Sequence, residues 1–255
     1  MNKKNKILLC TSVFPPDSGG VSAFAKDIFT MFNESDLFEI NLFYSNKSKG
    51  KGRINAHVNS LKNSIKLLKT IMSLKPNIVI CTAIKPYVPI LTMFSKTLGF
   101  KLIVQVMGTE ITGRFNSGWR KYLQVKSFNK CSSVWPISNF TRNMLIDYGV
   151  EKSIIYTFYP FVTNEMIDIA KKNMDINKNK KFTIFTSGHL VPRKGIDLVL
   201  KAVSQIKELD IQYFIAGNVP KFMCEYEGYY QNMANELDIE NRVKFLGQLD
   251  RKQLW

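Results

Sequence analysis

Several chemistries are excluded by what the sequence does not contain. Its four cysteines, Cys10, Cys81, Cys131 and Cys224, form no C-x-x-C pair, so neither a zinc site nor a redox motif is implied, and reduced thiols in a cytoplasm are expected. Histidine is scarce, only His57 and His189, and His57 sits in a polar stretch that reads as surface. No metal site and no cofactor are expected. The longest apolar run, Val88 to Phe94, is far short of the roughly 18 residues of a membrane span. Met1 to Lys6 followed by Ile-Leu-Leu-Cys superficially resembles a lipoprotein signal, but it breaks at Pro15-Pro16 without a small-residue cleavage site and reads as a buried first strand. Neither G-x-G-x-x-G nor a Walker loop is present, which weakens dinucleotide and kinase readings. Acidic residues are outnumbered, 20 against 36 Lys and Arg, and the net charge of +16 points to an anionic partner. Charge alone does not choose among nucleic acid, an acidic lipid surface and a phosphorylated substrate, although no nucleic-acid recognition motif is present.

What is present is a globular composition, 45% apolar with 18 Phe and 10 Tyr, over 255 residues that suit two modest domains. Short apolar runs alternate with longer periodic ones, the pattern of parallel βαβ units and hence of an α/β fold. Strands are expected at Ile7 to Val13, Phe38 to Tyr44, Ile78 to Thr82, Lys101 to Met107, Ser133 to Pro136 and Ile154 to Thr157. Helices facing a sheet are expected at Val21 to Phe32, Leu61 to Met72 and Thr141 to Tyr148. The polar break M-D-I-N-K-N-K-K predicts a linker over residues 174–181, between an N-terminal domain (1–173) and a C-terminal one (182–255). The latter reads as strand Phe182 to Ser187, helix Ile196 to Ile206, strand Ile211 to Ala216, helix Tyr229 to Leu237 and strand Val243 to Leu246. Three strands are fewer than the five or six of a doubly wound domain, so completion by another chain or a fragment is expected.

Two loops carry the candidate chemistry. Phe14-Pro15-Pro16-Asp17-Ser18-Gly19-Gly20-Val21 follows the first strand and opens a helix; Gly19 and Gly20 allow a sharp turn and close approach of a phosphate to the helix start. Ser187-Gly188-His189-Leu190-Val191-Pro192-Arg193-Lys194-Gly195 likewise joins strand to helix, and sets Arg193 and Lys194 beside a helix N-terminus where cations and backbone donors converge on one anion. A diphosphate suits that arrangement. Glu110 and Arg114 follow Met107-Gly108-Thr109 at a strand's C-terminal end, where open α/β sheets place ligands.

Taken together, the two loops make the chain resemble a family 4 glycosyltransferase of the GT-B fold, two Rossmann-like domains facing a cleft. FPPDSGGV resembles that family's P-x-x-G-G-V loop, and GHLVPRKGIDLVLKA its G-R-L-x-x-x-K-G-x-x-x-L-L-x-A stretch. IAGNVP resembles its I-x-G-x-G-P turn, which places Gly217 and Asn218 at the cleft, and NRVKFLGQLDRKQL its R-V-x-F-L-G-x-L stretch. The resemblance implies retaining transfer of a sugar from a UDP- or GDP-linked donor to a glycan or a polyprenyl- or lipid-linked acceptor, without a metal. The absence of a D-x-D triplet agrees. It implies that Lys194 and Arg193, with the amides of Gly19 and Gly20 and with Gly188 and His189, stabilise the diphosphate leaving group.

Three departures stand against the pattern. Met107 occupies the usual position of a histidine that contacts the donor sugar, and a thioether cannot donate a hydrogen bond. His189 occupies the usual position of an arginine. The family's two glutamates eight residues apart have no counterpart before Trp255, so a C-terminally truncated donor site is expected. Trp119 and Trp135 are expected in the core or at an interdomain edge. Lys62, Lys66 and Lys69 share one face of the helix with Ile65, Leu68 and Met72 on another, as on an ordinary half-buried helix with a solvated basic side, the favoured reading, or on a helix at an anionic membrane face. No stable protein partner is expected.

Overall fold

The computed structural model describes the chain except residues 1–3, 18, 46–52, 83, 113–117, 174–181, 207 and 255, and the side chains of 53–58, 84–86, 173, 221–222 and 251–252. Arg114, the 174–181 linker and the side chain of His57 lie outside the described residues. The chain divides into two compact units, Met1–Phe161 and Val162–Trp255; residues 162–173 group with the second, whereas the sequence reading assigns them to the first.

The first unit begins with β1 (Asn5–Thr11), in which Ile7, Leu8, Leu9 and Cys10 are all buried. Such an unalternating apolar run is what a strand covered on both faces requires. It is followed by α1 (Gly20–Asn33), β2 (Phe38–Tyr44), α2 (Arg53–Leu74), β3 (Ile78–Cys81), α3 (Ile84–Leu98), β4 (Lys101–Val106), α4 (Gly118–Phe128), β5 (Ser133–Pro136) and α5 (Asn139–Tyr148). All pairings are parallel, in the order β2-β1-β3-β4-β5. The chain thus reverses direction across the sheet between β1 and β3, and that switch point opens a crevice beyond the C-terminal strand ends. One face packs Ile7, Leu9 and Ile80 against Phe24 and Ile28 of α1, with Trp135 stacked on Phe158 at 4.8 Å between ring centroids. The opposite core holds Leu8, Cys81 and Val104 with Leu67 and Ile71 of α2, Leu91 of α3 and Phe128 of α4. Ser138 caps α5 by accepting from the Thr141 amide at 3.1 Å.

The second unit contains α6 (Asn164–Asn173), β6 (Phe182–Ser187), α7 (Ile196–Gln205), β7 (Ile211–Ala216), α8 (Tyr229–Glu236), β8 (Val243–Gly247) and α9 (Arg251–Leu254), with a parallel sheet ordered β6-β7-β8. Ile196, Leu200 and Val203 of α7, at four- and three-residue spacing, bury one stripe against Tyr213 and Ile215. Each such side chain, fully buried, contributes roughly 1.5–3 kcal/mol.

Four expectations are corrected. Ile154 to Thr157 forms no strand beyond a single bridge, Val134 to Ile155, because a 3₁₀ turn over Lys152–Ile154 takes up the chain just before it. Helices α3, α4 and α6 were not expected. In α2 the residues facing the sheet are Ser64, Leu67 and Ile71, while Leu61, Ile65 and Met72 are exposed. Trp119 is 67% exposed in the first turn of α4 rather than in a core. Among the described residues no helix is long and apolar enough to cross a membrane, and all four cysteines are free thiols.

Candidate functional site

At the switch point, residues 12–19 connect β1 to α1, held from below by one carboxylate. Asp17 Oδ2 accepts from the Phe14 amide at 3.3 Å and from the Tyr44 hydroxyl at 2.7 Å, and the Phe14 carbonyl accepts from the Asp17 amide at 2.9 Å. The hydrogen bond to Asp17 is also the main reason the Tyr44 phenol is harder to ionise than usual. The Phe14 ring packs edge-on against Phe29 at 6.0 Å. Gly19 has φ 111°, ψ 160°, a conformation only glycine adopts readily, and its carbonyl accepts from the Ala23 amide. Gly20 differs: a Cβ there would meet nothing within 4 Å, so the protein itself does not demand glycine. The first turn of α1 carries no acid, and open space lies beside its positive end.

Beyond β4, the Met107 amide donates to Glu110 Oε2 at 3.1 Å and Gln124 Nε2 donates to the Glu110 carbonyl at 3.0 Å. Glu110 is therefore folded back onto its own turn. Burial raises its carboxyl above the usual range, opposed by the amides of Glu110, Gly108 and Met107. Gly108 turns the chain at φ 108°, and Met107 is half-buried against the α1-side core.

The sequence reading missed a group of polar side chains. Ser22 Oγ, Thr82 Oγ1 and both amide atoms of Gln105 are buried without a hydrogen-bond partner. The register explains why two of them are neighbours: Cys81 pairs with Val104, so Thr82 and Gln105 follow side by side at the ends of β3 and β4. Ser22 stands in the first turn of α1. A glutamine inside the run L-I-V-Q-V is the signal the sequence offered.

In the second unit three glycine turns lie side by side at the C-terminal ends of β6, β7 and β8. The Gly188 amide donates to the Ala216 carbonyl at 2.9 Å, Leu190 to Asn218 at 3.1 Å and Gly217 to Gly247 at 2.6 Å. A Cβ on Gly217 would lie 1.8 Å from the Gly188 carbonyl oxygen, so no side chain fits between these backbones. A 3₁₀ turn, Pro192–Lys194, then folds Lys194 back: a Cβ on Gly188 would lie 3.3 Å from Lys194 Nζ. The ammonium thus rests over bare backbone. Asn218 Nδ2 donates to Gln248 Oε1 at 3.4 Å, and His189 is half-buried. Arg193 is exposed, and among the described residues neither it nor Lys194 is in an ion pair. The first turn of α7 carries one acid, Asp197. Within this unit the structure brings Lys194, Gly188, Gly217 and Asn218 together; Gly19, Gly20, Met107, Gly108 and Glu110 belong to the first unit. No metal-binding cluster of His, Cys, Asp or Glu occurs among the described residues.

These two parallel α/β units define the class: the fold is of the GT-B type, built from Rossmann-like elements. Residues 167–255, all within the second unit, match the family model "Glycosyl transferases group 1". No curated protein matches the sequence. Among solved structures, Anabaena Alr3699/HepE in complex with UDP is similar over 98% of this chain and 71% of its own, with TM-score 0.70 and 18% identity. The apo lipopolysaccharide outer core galactosyltransferase WaaB is similar over 98% and 70%, with TM-score 0.64 and 16% identity. The sucrose-phosphate synthase of Thermosynechococcus elongatus is similar over 98% and 72%, with TM-score 0.72 and 12% identity.

Proposed function

We propose that this protein is a glycosyltransferase that moves a sugar from a UDP- or GDP-linked donor to a glycan or lipid-linked acceptor on the cytoplasmic side, in the synthesis of a cell-surface polysaccharide or glycolipid. The observation that carries the reading is Lys194, whose ammonium rests over Gly188 beside the side-chain-free backbone of Gly188 and Gly217. As the bond from the anomeric carbon to the diphosphate oxygen breaks, negative charge grows on that oxygen. A cation already in place lowers the barrier because nothing has to reorganise as the charge appears. Arg193 and the amides at the start of α7 add to the same field, and Gly19 and Gly20 would offer a second set of backbone donors. UDP in the HepE structure and the match of residues 167–255 support a nucleotide-sugar donor. Retention of anomeric configuration follows from the family resemblance.

The test is release of nucleoside diphosphate from UDP- and GDP-sugars with lipid-linked and glycan acceptors. Lys194→Ala lowers kcat by about 10²–10³, the usual effect of removing one such stabilising group, while Lys194→Arg retains more. Equal rates for Lys194→Ala and wild type would overturn the assignment. The anomeric proton coupling of the product reads retention against inversion. Met107 favours a second reading: where the resemblance calls for histidine, the half-buried thioether donates no hydrogen bond. A nucleotide-binding protein without transfer is then expected to be stabilised by UDP or GDP and to release no sugar from any donor.

A further inference from the structure

The net charge is not spread along the chain. Residues 40–146 contain 17 of the 36 lysines and arginines but one of the 20 aspartates and glutamates, Glu110; the rest of the chain holds 19 of each sign. That single carboxylate is turned inward onto the Met107 amide. Helices α2, α3 and α4 lie in this stretch, contain no acid, and pack in sequence, α2 on α3 and α3 on α4.

Between α3 and α4 runs a groove of about 440 Å³. Its apolar part is formed by Met93, Trp119 and Leu123, which are 70%, 67% and 51% exposed. Large apolar side chains normally cluster in this way on a surface only where something covers them. Its cationic part is Arg120, Lys126 and Lys130, and among the described residues none of the three is in an ion pair. The order along the chain matters: Trp119 and Leu123, one turn apart on α4, precede Lys126 in its last turn and Lys130 in the turn that follows the helix, so the groove wall passes from apolar to cationic. Gln124, 8% exposed, also lines the groove, and its Oε1 is buried without a partner while its Nε2 is held by the Glu110 carbonyl. On α2, Leu61, Ile65 and Met72 are exposed beside Lys62, Lys66 and Lys69.

We propose that the α3–α4 groove docks this protein on an anionic lipid bilayer, taking a lipid chain against Met93, Trp119 and Leu123 and a lipid phosphate against Lys126 and Lys130. An extended apolar-to-cationic stripe matches an amphiphile end to end, and tryptophan with flanking lysines is the side-chain set of the water–hydrocarbon boundary. A cationic surface without acids gains from every anionic headgroup within a Debye length, so attraction falls with salt. Docking of this kind is independent of sugar transfer, because no residue of the proposed donor site takes part in it.

Vesicle flotation of the full chain, without donor or acceptor, tests it. Wild type floats with phosphatidylcholine vesicles containing about one-third phosphatidylglycerol and not with phosphatidylcholine alone, and high salt releases it. Lys126→Gln with Lys130→Gln weakens flotation about 30-fold, and Trp119→Ser with Leu123→Ser weakens it at least as much; all four residues are exposed or half-buried at the surface, and circular dichroism melts confirm folding. Brominated lipid quenches wild-type tryptophan fluorescence more than that of Trp119→Phe. No flotation, equal flotation with neutral vesicles, or equal flotation of wild type and groove variants overturns the proposal. So does a Trp119-dependent complex with oligonucleotide that displaces vesicles, or a dimer that these substitutions dissociate.

Discussion

One added methyl group has opposite consequences at two glycines, Gly217 and Gly20. At Gly217 the new Cβ would sit 1.8 Å from the Gly188 carbonyl oxygen and 2.8 Å from its carbon, with φ at 137°. Alanine in such a conformation costs on the order of 1–3 kcal/mol. Restoring an ordinary separation of about 3.5 Å between non-bonded atoms would also pull apart the turns joined by Gly188 to Ala216, Leu190 to Asn218 and Gly217 to Gly247. Losing one or two of these hydrogen bonds adds about 1 kcal/mol each. The sum, about 2–5 kcal/mol, is a large part of the stability of a unit this small. At roughly 4–8 °C per kcal/mol, its calorimetric transition falls by about 8 °C or more. At Gly20 the same methyl enters open space at the first residue of a helix, where alanine is the better helix former, so Gly20→Ala leaves stability unchanged or raises it by up to about 1 kcal/mol. If that space admits a diphosphate, the affinity for UDP, read by titration calorimetry, falls about tenfold or more, which corresponds to roughly 1.4 kcal/mol. A Gly217→Ala variant that melts with wild type, or a Gly20→Ala variant that melts well below it, would refute these assignments. Unchanged UDP affinity in Gly20→Ala would remove Gly20 from the proposed donor site.

Three further outcomes follow from single side chains. Arg242 donates from Nη1 to the carbonyls of Val203 and Ile206, at 3.3 and 3.2 Å, and from Nη2 to that of Leu209, closing the end of α7. Arg242→Ala therefore destabilises the second unit by about 2–4 kcal/mol, and Arg242→Lys restores little because an ammonium lacks the planar fork; equal denaturant midpoints for wild type and Arg242→Ala would contradict this. Gln105 is fully buried with both amide atoms unpartnered, so Gln105→Met raises stability by about 1–2 kcal/mol, whereas a lower melting temperature would mean that a bound molecule satisfies the amide. The raised Glu110 carboxyl makes the folded state bind a proton more tightly than the unfolded chain, so its stabilising contribution is present in acid and is lost as pH rises through the folded value. Melts of Glu110→Gln accordingly match wild type near pH 4 and exceed it increasingly toward pH 7, and a constant difference across that range would refute the assignment.

The strands at Phe38–Tyr44, Ser133–Pro136, Phe182–Ser187 and Ile211–Ala216 have the bounds the sequence implies, because each is a short apolar or β-branched run between polar or turn-forming residues. Helix α3 was hidden by its own prolines, Pro86 and Pro89; the latter lies inside the helix, where the residue usually breaks one. Helix α4 was hidden for the opposite reason, since G-W-R-K-Y-L-Q-V-K-S-F places apolar and basic residues on every side and buries only Gln124 and Phe128. Trp119 belongs to this helix, and its 67% exposure removes the core from the two places expected for that ring. In the candidate site the glycines were legible, since backbone turns and close approaches select that residue, and the geometry of Gly19 and Gly217 supplies the reason. The hold of Asp17 on Tyr44 was not, because it joins residues 27 apart through the pairing of β1 with β2.

The distribution of charge bears on how each unit meets an anion. Residues 162–255 hold 14 lysines and arginines against 12 aspartates and glutamates, so the second unit has almost no net field to attract a nucleotide from a distance. Any anion selectivity there has to come from placement: an ammonium held over glycine backbone, with helix amides close by and no side chain between them. Such a short-range arrangement responds weakly to salt, because its groups lie well within a Debye length of the ligand. The first unit is the reverse: residues 1–161 hold 22 lysines and arginines against 8 aspartates and glutamates, and its attraction to a lipid surface is long-range and salt-sensitive. Raising ionic strength is therefore expected to release vesicles at a concentration that leaves UDP affinity nearly unchanged. Parallel loss of both would mean that the two anion preferences arise from one diffuse field, and Lys194 would lose its special standing.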